Sequence, residues 1–520
     1  MSLEILGRTA RARAERLEAS APVGAVLDRL AGQSDPVVLE SSAPHESFGR
    51  YTILACRPLE VLSLRDGILT DSGGRVRVRG GDEQIWAELA RAFSCVPSWH
   101  GRLAHACRGH PARASDSHAP DESLMPYGPG WLGYVGYEVG RHVERLPGRA
   151  VRDTHFPDLR LGFYDAVAVF DAVERTWTLS ELVYDESGAP PGAGQASDCL
   201  RRLLADASAV SGDDDSRAGS ARASAAARPA AAFASNFTPQ EYQRAVRRCI
   251  DYIAAGDIFQ ANLSQRLTVP RAPAPLDIYR SLRRRNPAWY SAFLRFESAG
   301  RPCAIACSSP ELFLRVRGGE VLTRPIKGTR PRVGEERADA DAARDLLASP
   351  KDNAELTMIV DLLRNDLGRV CRYGSVRVAE ARALEIHPTV YHLVGTVRGR
   401  LREDVGPAEL LRATFPGGSI TGAPKIRAME IIDELEGVAR GVYTGCVGWV
   451  GAGGDCEWNI AIRTVLCDGD TAYVPVGGGI VADSDPLGEY QETLDKARAL
   501  LEAIAQASEI NNEHRIPNTE

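Results

Sequence analysis

The sequence predicts a mixed α and β fold, α+β in class, with antiparallel strand in abundance. Three observations carry that expectation. Leu312 to Arg317 and Glu320 to Arg324 alternate apolar and polar residues on either side of Gly318-Gly319, which marks a hairpin. Ala166 to Phe170 and Trp177 to Val183 read as a second pair of strands. Helical patterns lie between such pairs. The clearest begins at Thr238, an N-cap followed by Pro239 at the first helical position and by Glu241, which completes a capping box.

Taken in order, about Pro22 to Tyr184 is mixed and rich in strand. Val37 to Ser41 is an apolar run that ends in an acid and a hydroxyl, and Phe48 to Leu54 follows it closely. Gly128 to Tyr137 crowds glycines between aromatics, as where a backbone approaches another surface. Between Ala207 and Ser235 the composition turns to Ala, Ser, Arg, Gly and Asp without a periodic apolar face, which predicts a flexible linker over 207–235. That linker separates an N-terminal region, 1–206, from a C-terminal region, 236–507. Residues 508–520 are expected to form a disordered tail.

Within the C-terminal region, Pro302 to Cys307 alternates like a strand. Ala354 to Asp366 is expected as a helix whose stripe is Leu356, Ile359, Val360 and Leu363. Pro424 to Glu436 is another, stopped by Gly437. Thr444 to Val450, Trp458 to Leu466 and Thr471 to Val476 read as strands, the last ending in Gly477-Gly478-Gly479. Pro486 to Ala507 is helical in pattern.

Bulk properties exclude several classes. A net charge of -7 leaves no basic excess for a general nucleic-acid binder. Eleven scattered cysteines without a CxxC pair suit a reduced, cytoplasmic chain rather than a disulfide or zinc framework. No apolar run reaches the length of a membrane span, and Met1 to Ala21 lacks the apolar centre of a secretory signal.

The chemistry gathers on Arg324 to Arg332, R-P-I-K-G-T-R-P-R, which sets Lys327 among three arginines at the end of the hairpin. Nearby cations and burial both lower a lysine pKa, which would make Lys327 a nucleophile or base. Taken alone, such a stretch is more often a solvated basic loop. Two acid pairs, Asp352 with Glu355 and Glu489 with Glu492, sit at helix starts with their carboxylates on one face. They suit Mg²⁺ shared with an anionic substrate, and equally suit acids complementing helix dipoles. Lys496 stands four residues after Glu492, the spacing of a helical salt bridge. Arg463 interrupts an apolar strand and calls for a partner, such as a carboxylate ligand. Gly417 to Lys425 fails the Walker pattern, since no Ser or Thr follows its lysine, but its turn could hold a carboxylate on backbone N–H groups. His387 and His392 share no metal spacing and suit structural roles.

These motifs together resemble those of the chorismate-utilising enzymes, over about Ser235 to Ala505. The resemblance runs through Phe259 to Ser264, Ser309 to Phe313, Pro325 to Thr329, Glu355 with Val360 to Asp366, and Gly418 to Lys425. It continues through Tyr443 to Gly448, Asn459 to Arg463 and Gly477 to Lys496. It implies two facing antiparallel sheets flanked by helices, built from both halves of the chain, as in the large subunit of anthranilate synthase. It implies chorismate as substrate, Mg²⁺ as cofactor and a separate glutamine amidotransferase subunit as partner. No Cys-His-Glu glutaminase region follows Ala505.

The resemblance also implies roles. Water-adding members carry a lysine base where this chain has Gln260, which points away from water as nucleophile. Members that aminate C4 of chorismate carry lysine in P-I-x-G-T, and here it is Lys327. The implied product is 4-amino-4-deoxychorismate, on the 4-aminobenzoate and folate route. Glu311 would be the general acid and Lys327 the covalent catalyst. Glu355 and Glu492 would bind the metal, with Asp352 and Glu489 behind them. Tyr443, Arg463, the Gly477, Gly478 and Gly479 backbone and Lys496 would hold carboxylates. Gln260, Gly328, Thr329, His392 and Ser419 would complete the substrate site. Leu39, Glu40, Ser41, Arg50 and Tyr51 sit where amino-transferring members carry a tryptophan pocket. The competing expectations are an anthranilate-forming subunit and a non-catalytic amino-acid sensor.

Overall fold

The hairpin forms with the bounds the pattern predicts, Leu312–Arg317 and Glu320–Arg324, in a computed structural model that describes residues 10–42, 48–94, 127–184, 188–208 and 231–513. It belongs to one of two twelve-stranded sheets in which neighbouring strands pair antiparallel. Both sheets draw on both halves of the sequence. In the first, Val37–Glu40 pairs with Tyr290–Ser298; in the second, Gly130–Val135 pairs with Cys446–Gly451. The glycines allow that second pairing, because a Cβ on Gly130 would lie 2.2 Å from the Val450 carbonyl oxygen.

The sheets face each other across a core that includes Val37 and Ile305 from the first and Leu132, Val447 and Trp449 from the second. The outer face of the first sheet is covered by helices including Val23–Leu30, Gln195–Ser208, Pro275–Arg285 and Pro486–Glu513. Asp82–Ser94, Pro350–Gly368 and Pro407–Thr414 pack against the second. The Thr238 capping box forms at the start of Pro239–Ala254. Its buried Tyr242, Val246 and Cys249 close over the end of Gln260–Pro270 together with Lys425–Leu435.

Four expectations change. Trp458 to Leu466 is not one strand. Cys456–Asn459 lies in the second sheet, Thr464–Asp468 lies in the first, and the chain crosses between them with Arg463 at φ 52°. Gly477 to Gly479 do not end a strand; they lie inside Thr471–Ile480, opposite Ser264, Leu263 and Asn262. The last helix runs on to Glu513, past the expected start of a tail, and 514–520 lie outside the described residues. Of the expected linker, Ala207 and Ser208 end a helix and Ala234–Ser235 is a strand on the edge of the first sheet, while 209–230 lie outside the described residues.

One buried ion pair ties these parts together. Arg440 donates to both Glu436 oxygens, at 2.8 and 2.6 Å, and to the carbonyls of Ile420 and Asn262. Glu436 in turn accepts the Ser264 N–H at 2.8 Å. Removing one partner of such a pair leaves an unpaired buried charge, which costs roughly 3–5 kcal/mol. Arg440→Met is expected to lose stability on that scale in denaturant unfolding, and adding Glu436→Gln to recover part of it.

Candidate active site

Lys327 lies in Ile326–Pro331, a strand whose register against Val390–Arg400 shifts between Ile326 and Thr329. Gly328 takes φ 84° there, and a Cβ on it would meet Leu346 at 2.7 Å and Asp352 at 2.9 Å. A bulge re-aims the side chain beside it. Here Lys327 is turned into a cavity of about 800 Å³ whose walls come from both sheets and two helices.

Two neighbouring crossings between the sheets supply the facing wall. Pro310-Glu311 links Arg301–Ser309 in the first sheet to Leu312–Arg317 in the second. Ile460 to Arg463 makes the reverse crossing beside it. They are stitched by Ser309 Oγ to the Ile460 carbonyl at 2.6 Å, Ile460 N–H to the Glu311 carbonyl at 3.0 Å and Ser308 N–H to the Arg463 carbonyl at 3.0 Å.

Electrostatics follow from burial. The Glu311 carboxyl is pushed up to about 7 by burial, against the Ser419 hydroxyl and the Lys327 charge. Burial also lowers Lys327, aided by Lys496 and opposed chiefly by Glu355 and Glu311. The three flanking arginines do not act as expected. Arg324 pairs with Glu385, Arg330 with Asp345 and Asp352, and Arg332 with Asp339, so each is neutralised where it stands. His392 is driven down to about 3 by burial, with His387 and Arg463 in support, so its ring is neutral. Its Nδ1 lies 2.9 Å from the Thr329 hydroxyl.

The four acids reach the same cavity from the starts of Pro350–Gly368 and Pro486–Glu513. Glu492 pairs with Lys496 at 2.6 Å, Glu489 accepts from Ser484 at 2.6 Å and Asp352 pairs with Arg330 at 3.1 Å. Among the described residues, no three carboxylate, imidazole or thiol groups converge closely enough to hold a metal by themselves. Two direct carboxylates completed by water and substrate are the usual mode for Mg²⁺.

Lys496 also donates to the Gly477 carbonyl at 2.9 Å. Ser264 and Asn262 send their N–H groups to Glu436 and Thr421 instead of across the ladder. The N–H groups of their partners Gly477 and Gly479 therefore also point off the ladder, toward the strand's open edge. Arg463 finds no carboxylate within salt-bridge reach among the described residues; it donates to the Lys496 carbonyl at 3.0 Å. Tyr443 and Ser419 line the cavity, whereas Gln260 stands behind Gly479 with both amide atoms buried and without a partner among the described residues.

Asn262 and Lys351 also line the cavity and were not picked out from sequence. Asn262 shares a strand face with Gln260, two residues on, and Lys351 lies one helical turn before Glu355. Those spacings would have found them. The Gly417 to Lys425 turn contributes Ser419 and Ile420 to the wall, but Lys425 is tied to Asp366 at 2.7 Å.

The profile of the chorismate binding enzymes matches residues 77–502. The chain belongs to that family. Aminodeoxychorismate synthase component 1 of Klebsiella aerogenes is 37% identical over 91% of this chain and 95% of its own length. Anthranilate synthase component 1 of Streptomyces coelicolor is 39% identical over 95% of this chain and 94% of its own length. Anthranilate synthase component I from Streptococcus pneumoniae superposes with a TM-score of 0.68 at 30% identity, covering 88% and 93% of the two chains. The two-sheet architecture is thus that of this family.

A second cavity, about 180 Å³, opens in the same chorismate-binding fold between Phe48, Tyr51, Trp289 and Trp449. Leu39, Glu40, Arg50 and Tyr51 line it. The Glu40 carboxylate is engaged elsewhere, accepting from Tyr279 at 2.6 Å and Arg283 at 2.6 Å. Arg50 pairs with Asp171 at 2.8 Å. Ser41 lies off the wall, with its N–H toward the Tyr51 carbonyl.

The glycines of the larger cavity give a direct test. A Cβ on Gly479 would lie 2.4 Å from Gln260 Nε2 and 3.4 Å from Lys327 Nζ. Gly479→Ala is expected to cut turnover of chorismate at least tenfold, because the buried Gln260 amide and the neighbouring Lys327 must shift to admit the methyl group.

Proposed function

We propose that this chain is a synthase subunit that replaces the C4 hydroxyl of chorismate by an amino group, giving 4-amino-4-deoxychorismate. A separate glutamine amidotransferase subunit would supply the ammonia. The observation that carries the reading is Lys327, a buried amine with lowered pKa in a cavity that also holds a carboxyl near pKa 7. The relatives named as component 1 support a two-component enzyme.

Lys327 Nζ bonds to ring carbon C2, the two ring double bonds shift, and the C4–O bond breaks. Glu311 gives its proton, so the hydroxyl leaves as water. Ammonia then bonds to C4, the double bonds shift back and the C2–Nζ bond breaks, freeing Lys327. The surplus proton on the new amine returns to Glu311. Occupation of C2 by Lys327 keeps ammonia from that carbon. Arg463, Lys496, Tyr443 and the Gly477 to Gly479 backbone hold the substrate carboxylates, and Thr329, His392 and Ser419 border the ring.

Glu355 and Glu492 would hold Mg²⁺, with Asp352 and Glu489 behind them. The fit lies in the donor set: burial pushes the Glu355 carboxyl up, Lys327 and Lys351 oppose it, and the like charges of Asp352 and Glu492 add to the rise. When bound, the ion supplies positive charge for the substrate's ring carboxylate. Glu355→Gln and Glu492→Gln are each expected to abolish Mg²⁺-supported turnover while leaving the unfolding midpoint within about 1 kcal/mol of wild type. Wild-type activity at low Mg²⁺ in either variant would remove the assignment. The smaller, aromatic-walled cavity suits tryptophan, and titration calorimetry with that amino acid reads its occupancy.

Product chromatography after incubation with chorismate, ammonium salt and Mg²⁺ decides the main reading. Anthranilate as main product would replace it with the other reaction of the family, and no consumption of chorismate would leave a sensor. Without ammonia, a mass adduct on Lys327 is expected, and Lys327→Ala should lose most C4 amination. The adduct rate requires protonated Glu311, and above about pH 7 each further unit removes nearly tenfold of that form. Its logarithm should therefore bend downward near pH 7, whether Lys327 titrates below or above that point. Glu311→Gln should be slow and show no bend there.

A further inference from the structure

Four carboxylates meet at the larger cavity, and the cations that face them are held to different degrees. Lys496 is fixed by Glu492 and by the Gly477 carbonyl, and Arg330 by Asp345 and Asp352. Lys351 is held loosely. Its half-exposed side chain reaches Glu489 at only 4.0 Å, and it makes no hydrogen bond among the described residues. It stands one helical turn before Glu355, whose side chain leans back toward it, while Glu489 comes from the start of the other helix. Burial disfavours the charge on Glu355, Glu489 and Glu492, and the Lys351 ammonium opposes that effect at all three. Glu355 has neither an ion pair nor a hydrogen bond within the described residues, so its charge is met only at a distance. Helix stability does not account for the lysine. Lys351 lies in the first turn of Pro350–Gly368, where a cation opposes the helix dipole. The acids it faces do account for it.

We propose that Lys351 is a displaceable counter-charge, which competes with a divalent cation for the acid wall and so sets how tightly that cation is held. The proposal rests on the Mg²⁺ reading of Glu355 and Glu492. An ammonium and a dication between the same two helix starts repel each other, and both are drawn to the same carboxylate oxygens. Lys351 is the cation that gives way, because an exposed ion pair contributes little and its long stem can turn its head into water. Lys496 keeps the Gly477 carbonyl when Glu492 turns to another cation, so it stays in the wall. The consequence is a metal hold weaker than four acids alone would give. That lets the ion, and a carboxylate bound against it, leave the cavity after turnover.

Titration calorimetry with Mg²⁺ alone, at fixed pH and ionic strength, reads the competition directly. Lys351→Met keeps the apolar stem and removes the charge, and it is expected to lower the Mg²⁺ Kd at least threefold. Lys351→Arg, which keeps the charge, should stay within twofold of wild type. Arg498→Met removes the same charge from the same cavity at a residue paired with Asp495, and it should also stay within twofold. The rise in Tm on adding Mg²⁺ should be larger in Lys351→Met than in wild type, since a ligand held more tightly by the folded state raises Tm further. Unchanged or weaker Mg²⁺ binding in Lys351→Met overturns the proposal. Equal tightening in Arg498→Met does so too, because the effect is then one of net charge alone. If none of these proteins binds Mg²⁺, the metal reading fails and the competition falls with it, whereas binding at one common affinity removes the competition alone.

Discussion

The contact between Arg440 and Glu436 is the constraint on which the large-cavity end of the molecule depends. Both residues are almost fully buried, and a charged pair in that setting is stabilising only when its remaining donors and acceptors are satisfied. They are satisfied by the parts that become walls of the cavity. The Ile420 carbonyl belongs to the turn that presents Ser419, the Asn262 carbonyl to the strand opposite Gly479, and the Thr444 hydroxyl to the residue after Tyr443. A shift of any of them would leave a polar atom orphaned in a dry environment, so the pair fixes relative position as well as contributing to stability.

Sheet geometry then decides which residues meet. A chain that leaves one sheet for the other turns its side chains through a corner, and two such corners lie side by side here. Glu311 and Arg463 sit in them, about 150 residues apart in sequence but joined through direct main-chain bonds. The bulge at Gly328 brings Lys327 to the same space from a third strand. The glycines of Thr471–Ile480 leave the room that side chains would otherwise fill.

Much of this was legible in the sequence where one local rule decides the outcome. The Gly318-Gly319 hairpin and the Thr238 cap formed where turn and capping chemistry put them. The acids of two distant helices were marked by their spacing and do line one cavity. The crossing within Trp458 to Leu466 was hidden because the strands on both sides of it are buried on both faces, so the apolar run does not change as the chain changes sheet. The arginines around Lys327 misled for another reason. A cation acts on its neighbour only while uncompensated, and Glu385, Asp345 and Asp339 arrive from elsewhere in the fold. Charge proximity along a sequence says nothing about partners that fold back onto it.

What replaces the arginines is burial, and it acts on both groups at once. Removing water disfavours the charged form of either group, so the same desolvation leaves Glu311 protonated near neutrality and biases Lys327 toward a free amine. Their mutual attraction opposes both effects, because an ammonium beside a carboxylate stabilises each charge. The balance therefore depends on how dry the cavity wall stays. Lys496 adds to the bias on Lys327, while Glu355 and Glu492 work against it. A cation placed on those two acids would offset their share of the charge that holds the proton on Lys327 and leave that of Glu311. Charge on the acid wall and the protonation of Lys327 are thus coupled, with Glu355 the largest charged contributor and Glu311 the next.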